Sequence, residues 1–592
     1  MQVALVSMPW ALFNRPSIQL ASLKGFLSQD SRIEVRNLHP YLGAAKTVGL
    51  DRYQAVSENG WAAEAVYSAL LFPEMREEAA RLYHRSQEGK KPLPPFAVIT
   101  DQLRQHLDQW LARQDFSSTA LVGLSVCFSQ LAASLLAARE IKKQWPHLHL
   151  VLGGSSCTTD LAKSLLPFYP EIDSIVIGEG EQALAELIAS LVENRPCRAK
   201  NIITAGKTAD HPGLLPANEE IRDLDSLPLP EYQDYFTELR EIGLHFIPVL
   251  PLEFSRGCWW NRCSFCNLNL QWCGYRFKSW KRMVSEVEEL GRCFECLDFT
   301  FTDNALPPGE ASDFFRSIAQ KGKDYRFFAE IRIAADPDVY HLYRQGGLHS
   351  IQIGIEALAD SLLVRMRKGT TAMDNVAALK FAAAAGLALD GNLILEFPGS
   401  TPEEVEETCR VLDLVLPYRP LKAASFFLGH GSPVWRDPAS YGIRAILRHP
   451  HYGKLFPPDQ FRCLDFLIKS YRADRERQRK LWQPVRKRIK RWHAFHAGRK
   501  QNHQPPLSCR DGGDFLLIRQ ERPDGPPLHH RLRGISREIY LACERPVEKN
   551  ILLHRFRQVT RTQLFSFLND LERKGLLYCS ADSCLALALR TP

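Results

Sequence analysis

The chain has 592 residues, with 75 Lys and Arg against 67 Asp and Glu, a formal net charge of +8, and 45% hydrophobic residues. That length exceeds what one hydrophobic core sustains and predicts three or more domains, while the ordinary apolar and charged content excludes a disordered chain. No run of about 18 apolar residues occurs and residues 1–5 lack a secretory pattern, so neither a membrane span nor export is expected.

The 15 cysteines are odd in number and scattered, which argues against a disulfide framework and for free thiols in a reducing cytoplasm. The net charge permits an acidic partner without requiring one.

Strand patterns fall at residues 2–6, 33–38, 121–126, 149–152 and 174–177, with helix patterns at 20–27, 130–143 and 182–192. Alternation of this kind predicts a parallel, doubly wound, Rossmann-like α/β sheet over residues 1–200, whose ligands bind at the carboxyl ends of the strands. Those ends carry Ser125-Val126-Cys127-Phe128-Ser129-Gln130, Gly153-Gly154-Ser155 and Gly178-Glu179-Gly180-Glu181. Glycine there serves a tight turn or lets backbone approach a large ligand. The charged, helix-patterned stretch 44–115 reads as an insertion or lid, and residues 201–245 as a connector.

A strand-like run at 246–254 leads into Cys258-Trp-Trp-Asn-Arg-Cys263-Ser-Phe-Cys266. Three thiolates in nine residues suit an iron–sulfur cluster; three ligands instead of four leave one iron of a cubane with an open site. A structural zinc site would want a fourth Cys or His nearby, and buried free thiols are the other alternative. Cys273 lies close enough in sequence to be a fourth ligand, and Cys293 with Cys296 has metal or redox spacing without a second pair. Further strand patterns at 297–302, 327–333, 350–355, 389–396 and 423–428 bring the count from residue 246 to six, a partial (β/α)6 barrel over 246–435. Polar residues at its strand ends are the candidate site: Asp303, Glu330, Arg332, Gln352, Glu356 and Asn392, with Phe427 beside Gly429.

The cysteine loop resembles that of the radical SAM superfamily, with four residues in the first gap where three is commoner. The strand ends ahead of it, and Asp225-Ser-Leu-Pro-Leu-Pro230, resemble the cobalamin-dependent branch. Val3-Ala-Leu-Val-Ser-Met-Pro9-Trp10, Pro16-Ser17-Ile-Gln19-Leu20, Glu253-Phe-Ser-Arg-Gly-Cys-Trp259, Phe328-Ala-Glu-Ile-Arg332, Gln352-Ile-Gly-Ile-Glu-Ala-Leu358, Phe397-Pro-Gly399 and Phe426-Phe-Leu-Gly429 are similar to the maturases of ribosomally made peptides, many of them C-methyltransferases.

The resemblance implies a 4Fe-4S cluster on Cys258, Cys263 and Cys266, and S-adenosylmethionine (SAM) against Asp303, Glu330, Arg332, Gln352, Glu356, Asn392 and Phe427. It implies cobalamin against Pro9, Trp10, Ser17, Gln19, Ser125, Val126, Cys127, Phe128, Gln130, Gly153, Gly154, Ser155, Gly178, Glu179, Gly180 and Glu181, without a protein histidine on cobalt. The implied reaction is radical methylation of an unactivated peptide carbon. A precursor peptide and an electron donor such as flavodoxin or ferredoxin are the implied partners. Rearrangement, cyclisation or oxidation with the same cofactors is the first alternative, and an RNA-modifying or RNA-binding protein the second.

Residues 436–500 read as helical, and 475–500 is strongly basic with Trp482 and Trp492 interleaved. It is either a face for an acidic peptide or nucleic acid, or a solvated helix. Residues 501–530, rich in Pro and Gly, read as a linker, and 531–592 as a small helical, winged-helix-like domain. That domain shows no dense basic recognition helix, so DNA is not expected.

Overall fold

The computed structural model describes residues 1–86, 93–204, 220–499 and 504–591. Parts of the expected connector (205–219) and linker (501–503), and Lys500 of the basic stretch, lie outside the described residues. The first sheet runs β1 (Gln2–Ser7), β2 (Glu34–Leu38), β3 (Thr119–Ser125), β4 (His149–Gly153), β5 (Ser174–Val176) and β6 (Ile202–Thr204). Its order is β2-β1-β3-β4-β5-β6, with the first five strands parallel and β6 antiparallel. Residues 3–6 are buried without interruption because both faces are covered. Val3, Leu5, Leu121 and Val151 face the helices Ile18–Leu27 and Glu181–Val192, while Ala4, Val6, Val122 and Leu124 face a thicker helical layer. Strand order reverses between β1 and β3, where such sheets open a crevice.

The stretch expected as an insertion is that thicker layer, and it belongs to the core. It forms the helices Pro40–Val48, Leu50–Ser57, Gly60–Leu71, Arg76–Arg85 and Phe96–Ala112. Glu64, buried in the third, accepts the free N–H groups of Leu131 (3.0 Å) and Ala132 (3.1 Å) at the start of helix Leu131–Gln144. Burial pushes its carboxyl up to about 7.

The second unit contains β7 (Leu250–Leu252), β8 (Ser255–Arg256), β9 (Arg276–Phe277), β10 (Asp298–Phe301), β11 (Arg326–Ile331), β12 (Leu348–Ile353), β13 (Ala388–Asp390), β14 (Asn392–Leu395) and β15 (Lys422–Ser425). A parallel sheet β13-β12-β11-β10-β7 continues into the parallel pair β14-β15 through a bridge between Glu356 and Leu393. The expected strand 389–396 is thus broken at Gly391, where a Cβ would meet the Ile353 carbonyl oxygen at 2.8 Å. Six strand positions remain, as the sequence predicts.

Beyond the barrel the expectations need correction. Residues 436–472 include β17 (Ala445–Arg448) and β18 (Ile468–Arg472), which with β16 (Leu428–Gly429) form an antiparallel sheet instead of helix. These strands are too short to show a period, and only a tertiary ladder partner selects them. The expected linker is likewise folded. β19 (Leu507–Asp511), β20 (Phe515–Gln520) and β21 (Leu528–Arg533) form a sheet whose far edge is β25 (Leu589–Arg590). Its Pro and Gly residues mark the hairpin connections, with Gly513 at φ 85°. Helices Gly534–Ala542, Lys549–Arg555 and Arg561–Arg573, and the sheet of β22 (Val547–Glu548), β24 (Ser583–Ala586) and β23 (Leu577–Cys579), give the winged-helix-like end.

The basic helix Gln483–Ala497 packs on helix Pro402–Leu414 and β15. Trp482 and Trp492 are 1% exposed, and the Trp492 indole donates to the Tyr418 carbonyl oxygen at 2.8 Å. Arg486 pairs with Glu396 at 2.5 Å and Arg488 with Asp413 at 3.1 Å, while Lys487 and Lys490 face solvent. No described helix is long and apolar enough to cross a membrane.

Trp492→Ala should therefore destabilise the protein by about 3–5 kcal/mol through the cavity it leaves, and Lys487→Ala by less than about 0.5 kcal/mol, in denaturant titrations. Glu64 binds its proton more tightly when folded, so its contribution is full below pH 4.5 and is lost as pH rises through about 7. Glu64→Gln should flatten the fall in stability between pH 5 and pH 8 by up to roughly 3 kcal/mol; parallel slopes for variant and wild type would refute this.

Candidate active site

The loop that carries the three cysteines is closed at its base by the antiparallel pairing of β8 with β9. At Gly257 (φ 87°) the two legs touch so closely that a Cβ would lie 2.5 Å from the Gly274 carbonyl oxygen. The far side of the loop docks on residues 365–369. Ser264 N–H donates to the Met366 carbonyl oxygen (2.9 Å), Ser264 Oγ to that of Arg365 (3.1 Å), and Trp260 Nε1 to that of Arg367 (2.9 Å). The Trp260 ring lies over Gly369, where a Cβ would be 2.0 Å from ring carbon.

Cys258, Cys263 and Cys266 are free and half-buried. Burial raises the Cys263 thiol, and raises Cys266 to about 11, against a partial offset from the Leu268 N–H donated to its sulfur at 3.5 Å. Among the described residues no three His, Cys, Asp or Glu side chains converge on a single-ion geometry. A zinc site requires such convergence, whereas a cubane takes each thiolate on a different iron. Three free thiols that act on one another from one pinned loop match the three thiolate ligands of a cubane with one open iron. Cys273 is exposed, its backbone held by Glu220 (2.6 Å); Cys293 is exposed and Cys296 buried, so they form no second set.

The acids expected at SAM divide into two groups. Glu330 makes no side-chain bond with any described residue, and burial, helped by the charge of Glu356, pushes it up to about 7. Glu356 is also raised by burial and lies 3.4 Å from Lys368 Nζ; this pair crosses Gly354, where a Cβ would sit 2.4 Å from the ammonium. These acids adjoin the thiols, since Glu356, Lys368 and Arg332 all act on Cys263. Gln352 is half-buried on β12, and Asn392 and Phe427 are exposed, Phe427 by 61%.

Asp303 and Arg332 are placed otherwise than expected. Asp303 is 2% exposed and accepts from Phe254 N–H (3.1 Å) and Ser255 Oγ (2.5 Å), bracing the strand that enters the loop. Arg332 donates to the Lys368 carbonyl oxygen (2.7 Å), and its guanidinium lies 5.1 Å from the Trp259 ring centre and 4.8 Å from that of Trp260. Both hold the cysteine loop in place.

Beside the loop, a cleft with about 1290 Å³ of empty space up to its open mouth separates the first sheet from the barrel. Gln19, Ser125, Gly153, Gly154, Ser155 and residues 178–181 line one wall, and Glu253, Ser255, Arg256, Gly257, Trp272 and Asn304 the other. A smaller cavity next to it takes in Trp10, Ser17, Cys127, Phe128 and Gln130. Pro9 and Val126 line neither. Gly154 needs its glycine for φ 105° and for contact with Val126, whereas a Cβ on Gly153 would enter open space 3.7 Å from its nearest neighbour, Val176. No histidine lines the large cleft. The glycine-rich wall and the donor set fit a cobalamin, and no histidine is offered to it from this lining.

Glu179 and Glu181 face the barrel through ion pairs that the sequence reading missed. The 6% exposed Arg256 side chain meets Glu179 (3.1 Å), Glu181 (2.6 Å) and Glu253 (2.9 Å), and Arg276 meets Glu179 at 2.8 Å. Burial pulls Glu253 up and Arg256 down, but their mutual charges outweigh it and keep both ionised. Three acids at separated positions and one arginine two residues before Cys258 were visible in the sequence; that they meet was not.

Residues 252–412 match the model of the radical SAM superfamily. The chain is 30% identical over 301 residues to an uncharacterized methyltransferase of Pyrococcus horikoshii, a match covering 49% of this chain and 63% of that protein. It is 27% identical over 290 residues to the anaerobic magnesium-protoporphyrin IX monomethyl ester cyclase of Rubrivivax gelatinosus (47% and 50%). It is also 27% identical over 285 residues to the hopanoid C-3 methylase of Methylococcus capsulatus (46% and 53%). The chain thus spans about half to 63% of these relatives.

Among solved structures, the cobalamin-dependent radical SAM enzyme OxsB with aqua-cobalamin bound superposes with a TM-score of 0.55 at 13% identity, over 97% of this chain and 71% of that one. The radical SAM methyltransferase TsrM of Kitasatospora setae, bound to tryptophan and a SAM analogue, gives 0.55 at 15% over 83% and 88%. At such identities the likeness is one of fold. Residues 252–412 are a radical SAM domain, in a multidomain α/β chain with the fold of the cobalamin-dependent radical SAM enzymes.

Proposed function

We propose that this protein is a cobalamin-dependent radical SAM enzyme that methylates an unactivated carbon, with a ribosomally made peptide as the substrate class. The observation that carries the proposal is the junction itself: Arg256, two residues before the first cysteine, is ion-paired to the glycine-rich wall of the open cleft between the first sheet and the barrel. When bound, the cluster would supply the electron that cleaves SAM, and cobalamin the methyl group.

The chain's own residues act as holders and insulators. Cys258, Cys263 and Cys266 would ligate iron, while Asp303, Arg332 and the 365–369 segment keep their loop from moving. Glu330, without a side-chain partner among the described residues, and the Glu356–Lys368 pair are the polar groups poised to orient SAM beside the thiols. The methylase relatives and the fold likeness to TsrM support methyl transfer, and the precursor-peptide substrate rests on the sequence motifs. The cyclase relatives favour one second reading, ring formation with the same cofactors. The RNA alternative loses its main feature, because both tryptophans and two arginines of the basic helix are spent on packing.

Anaerobic reconstitution with iron, sulfide and hydroxocobalamin should give about four irons and one corrinoid per chain. Cys263→Ala should lose the iron and keep the corrinoid, and a wild type that binds no corrinoid would sink the reading. The mass of a product made from SAM and peptides encoded nearby then separates methylation from cyclisation. Arg332→Gln should shed iron to a chelator several-fold faster than wild type while SAM affinity of the loaded enzyme changes little. If iron retention is normal and SAM affinity falls tenfold, Arg332 is a SAM contact instead.

A further inference from the structure

The smaller cavity, with about 830 Å³ of empty space up to its mouth, lies between the two sheets beside the large cleft. Ser7, Trp10, Arg15, Ser17, Gln130 and Thr302 are among the residues around it, and no carboxylate lines it. Its rim, residues 11–15, is pinned by donors to four successive or near-successive carbonyl oxygens. Tyr53 donates to Ala11 (2.8 Å), Tyr235 to Phe13 (2.7 Å), Val249 N–H to Asn14 (2.9 Å) and Tyr41 to Arg15 (2.9 Å). With the backbone fixed, the Arg15 side chain makes no ion pair or hydrogen bond with any described residue, and its Nε is buried without a partner. Burial alone acts on the guanidinium and lowers its pKa, with no acid to offset it.

Elsewhere in this junction guanidinium groups are matched with acids, as Arg256 is with three. A half-buried guanidinium on a pinned loop, its Nε closed off without a partner, bears a desolvation cost that no described acid offsets, and its planar fork suits a two-oxygen anion. We propose that Arg15 recognises an anionic group, a carboxylate or a phosphate, of the molecule that occupies this cavity. Two sources share that chemistry: the phosphodiester of a cobalamin's nucleotide tail, and an acidic group of the substrate. The first source rests on the cobalamin reading above; the second does not.

The test uses the full-length, cluster-reconstituted protein as wild type, Arg15→Gln and Arg15→Lys. Equilibrium dialysis compares hydroxocobalamin with hydroxocobinamide, which lacks the nucleotide phosphate. Thermal unfolding compares inorganic phosphate and acetate with chloride at matched ionic strength. If the corrinoid supplies the anion, Arg15→Gln weakens hydroxocobalamin binding by about tenfold or more, leaves hydroxocobinamide unchanged, and Arg15→Lys falls between. If the substrate supplies it, both corrinoids bind alike to all three proteins, while phosphate or acetate raises the melting temperature of wild type and not of Arg15→Gln.

Without ligand, Arg15→Gln should melt at or above wild type, since a half-buried cation with no acid partner among the described residues is removed. A drop of several degrees would make Arg15 a structural residue and overturn the proposal. Identical responses of wild type and Arg15→Gln to both corrinoids and both anions would overturn it too. A wild type that binds neither corrinoid defeats the cobalamin reading, and the anion series then decides on Arg15 by itself.

Discussion

The architecture turns on one buried cation. Arg256 stands between the first sheet and the barrel with Glu179, Glu181 and Glu253 around it, almost closed off from water. A guanidinium so placed is tolerable only because several carboxylates answer it, and each carboxylate only because of the guanidinium. The geometry leaves little slack: Glu179 and Glu181 come from the turn after β5, and Arg256 from β8, two residues before Cys258. The glycine-rich wall of the cleft and the cysteine loop are therefore fixed relative to each other. The proposed reaction, with two cofactors acting on one substrate, would require such a fixed separation, which a flexible linker alone would not provide.

The cysteine loop itself holds its shape through contacts on every side. β8 and β9 clamp its base, Asp303 braces its approach, and its tryptophans lie between Arg332 and Gly369. A loop that must present three thiols in register cannot rely on its own short-range bonds, because 19 residues of irregular chain lose much entropy on ordering (roughly 1–2 kcal/mol each). Polar residues that the strand-end rule assigns to the ligand are in part spent on this scaffold. Glu330, with no side-chain partner among the described residues, is an acid that this scaffold does not use.

The same economy governs the basic stretch near the end of the barrel. Helix Gln483–Ala497 looks in sequence like a surface for an acidic partner, yet it buries Trp482 and Trp492, and pairs Arg486 and Arg488 with barrel acids. It packs on helix Pro402–Leu414 and on β15, the last strand of the barrel. Arg15 is the contrasting case, a half-buried cation to which no described residue supplies an acid.

Periodic burial was fully legible in the sequence. Strands covered on both faces read as unbroken apolar runs, so the five parallel strands of the first sheet and the six barrel positions were recovered near their observed limits. The cysteine triad stood out because metal chemistry demands residue identity at short spacing, and Gly154 because its φ of 105° and the Val126 backbone leave no room for a Cβ. Tertiary structure alone decided what depends on partners distant in the chain. Short strands such as Ala445–Arg448 carry no period of their own, and Pro and Gly in 501–530 mark hairpins as readily as a linker. The meeting of Arg256 with Glu179 and Glu181, about 75 residues away in sequence, and the isolation of Arg15 follow from where the folded chain places charge, which local sequence does not encode.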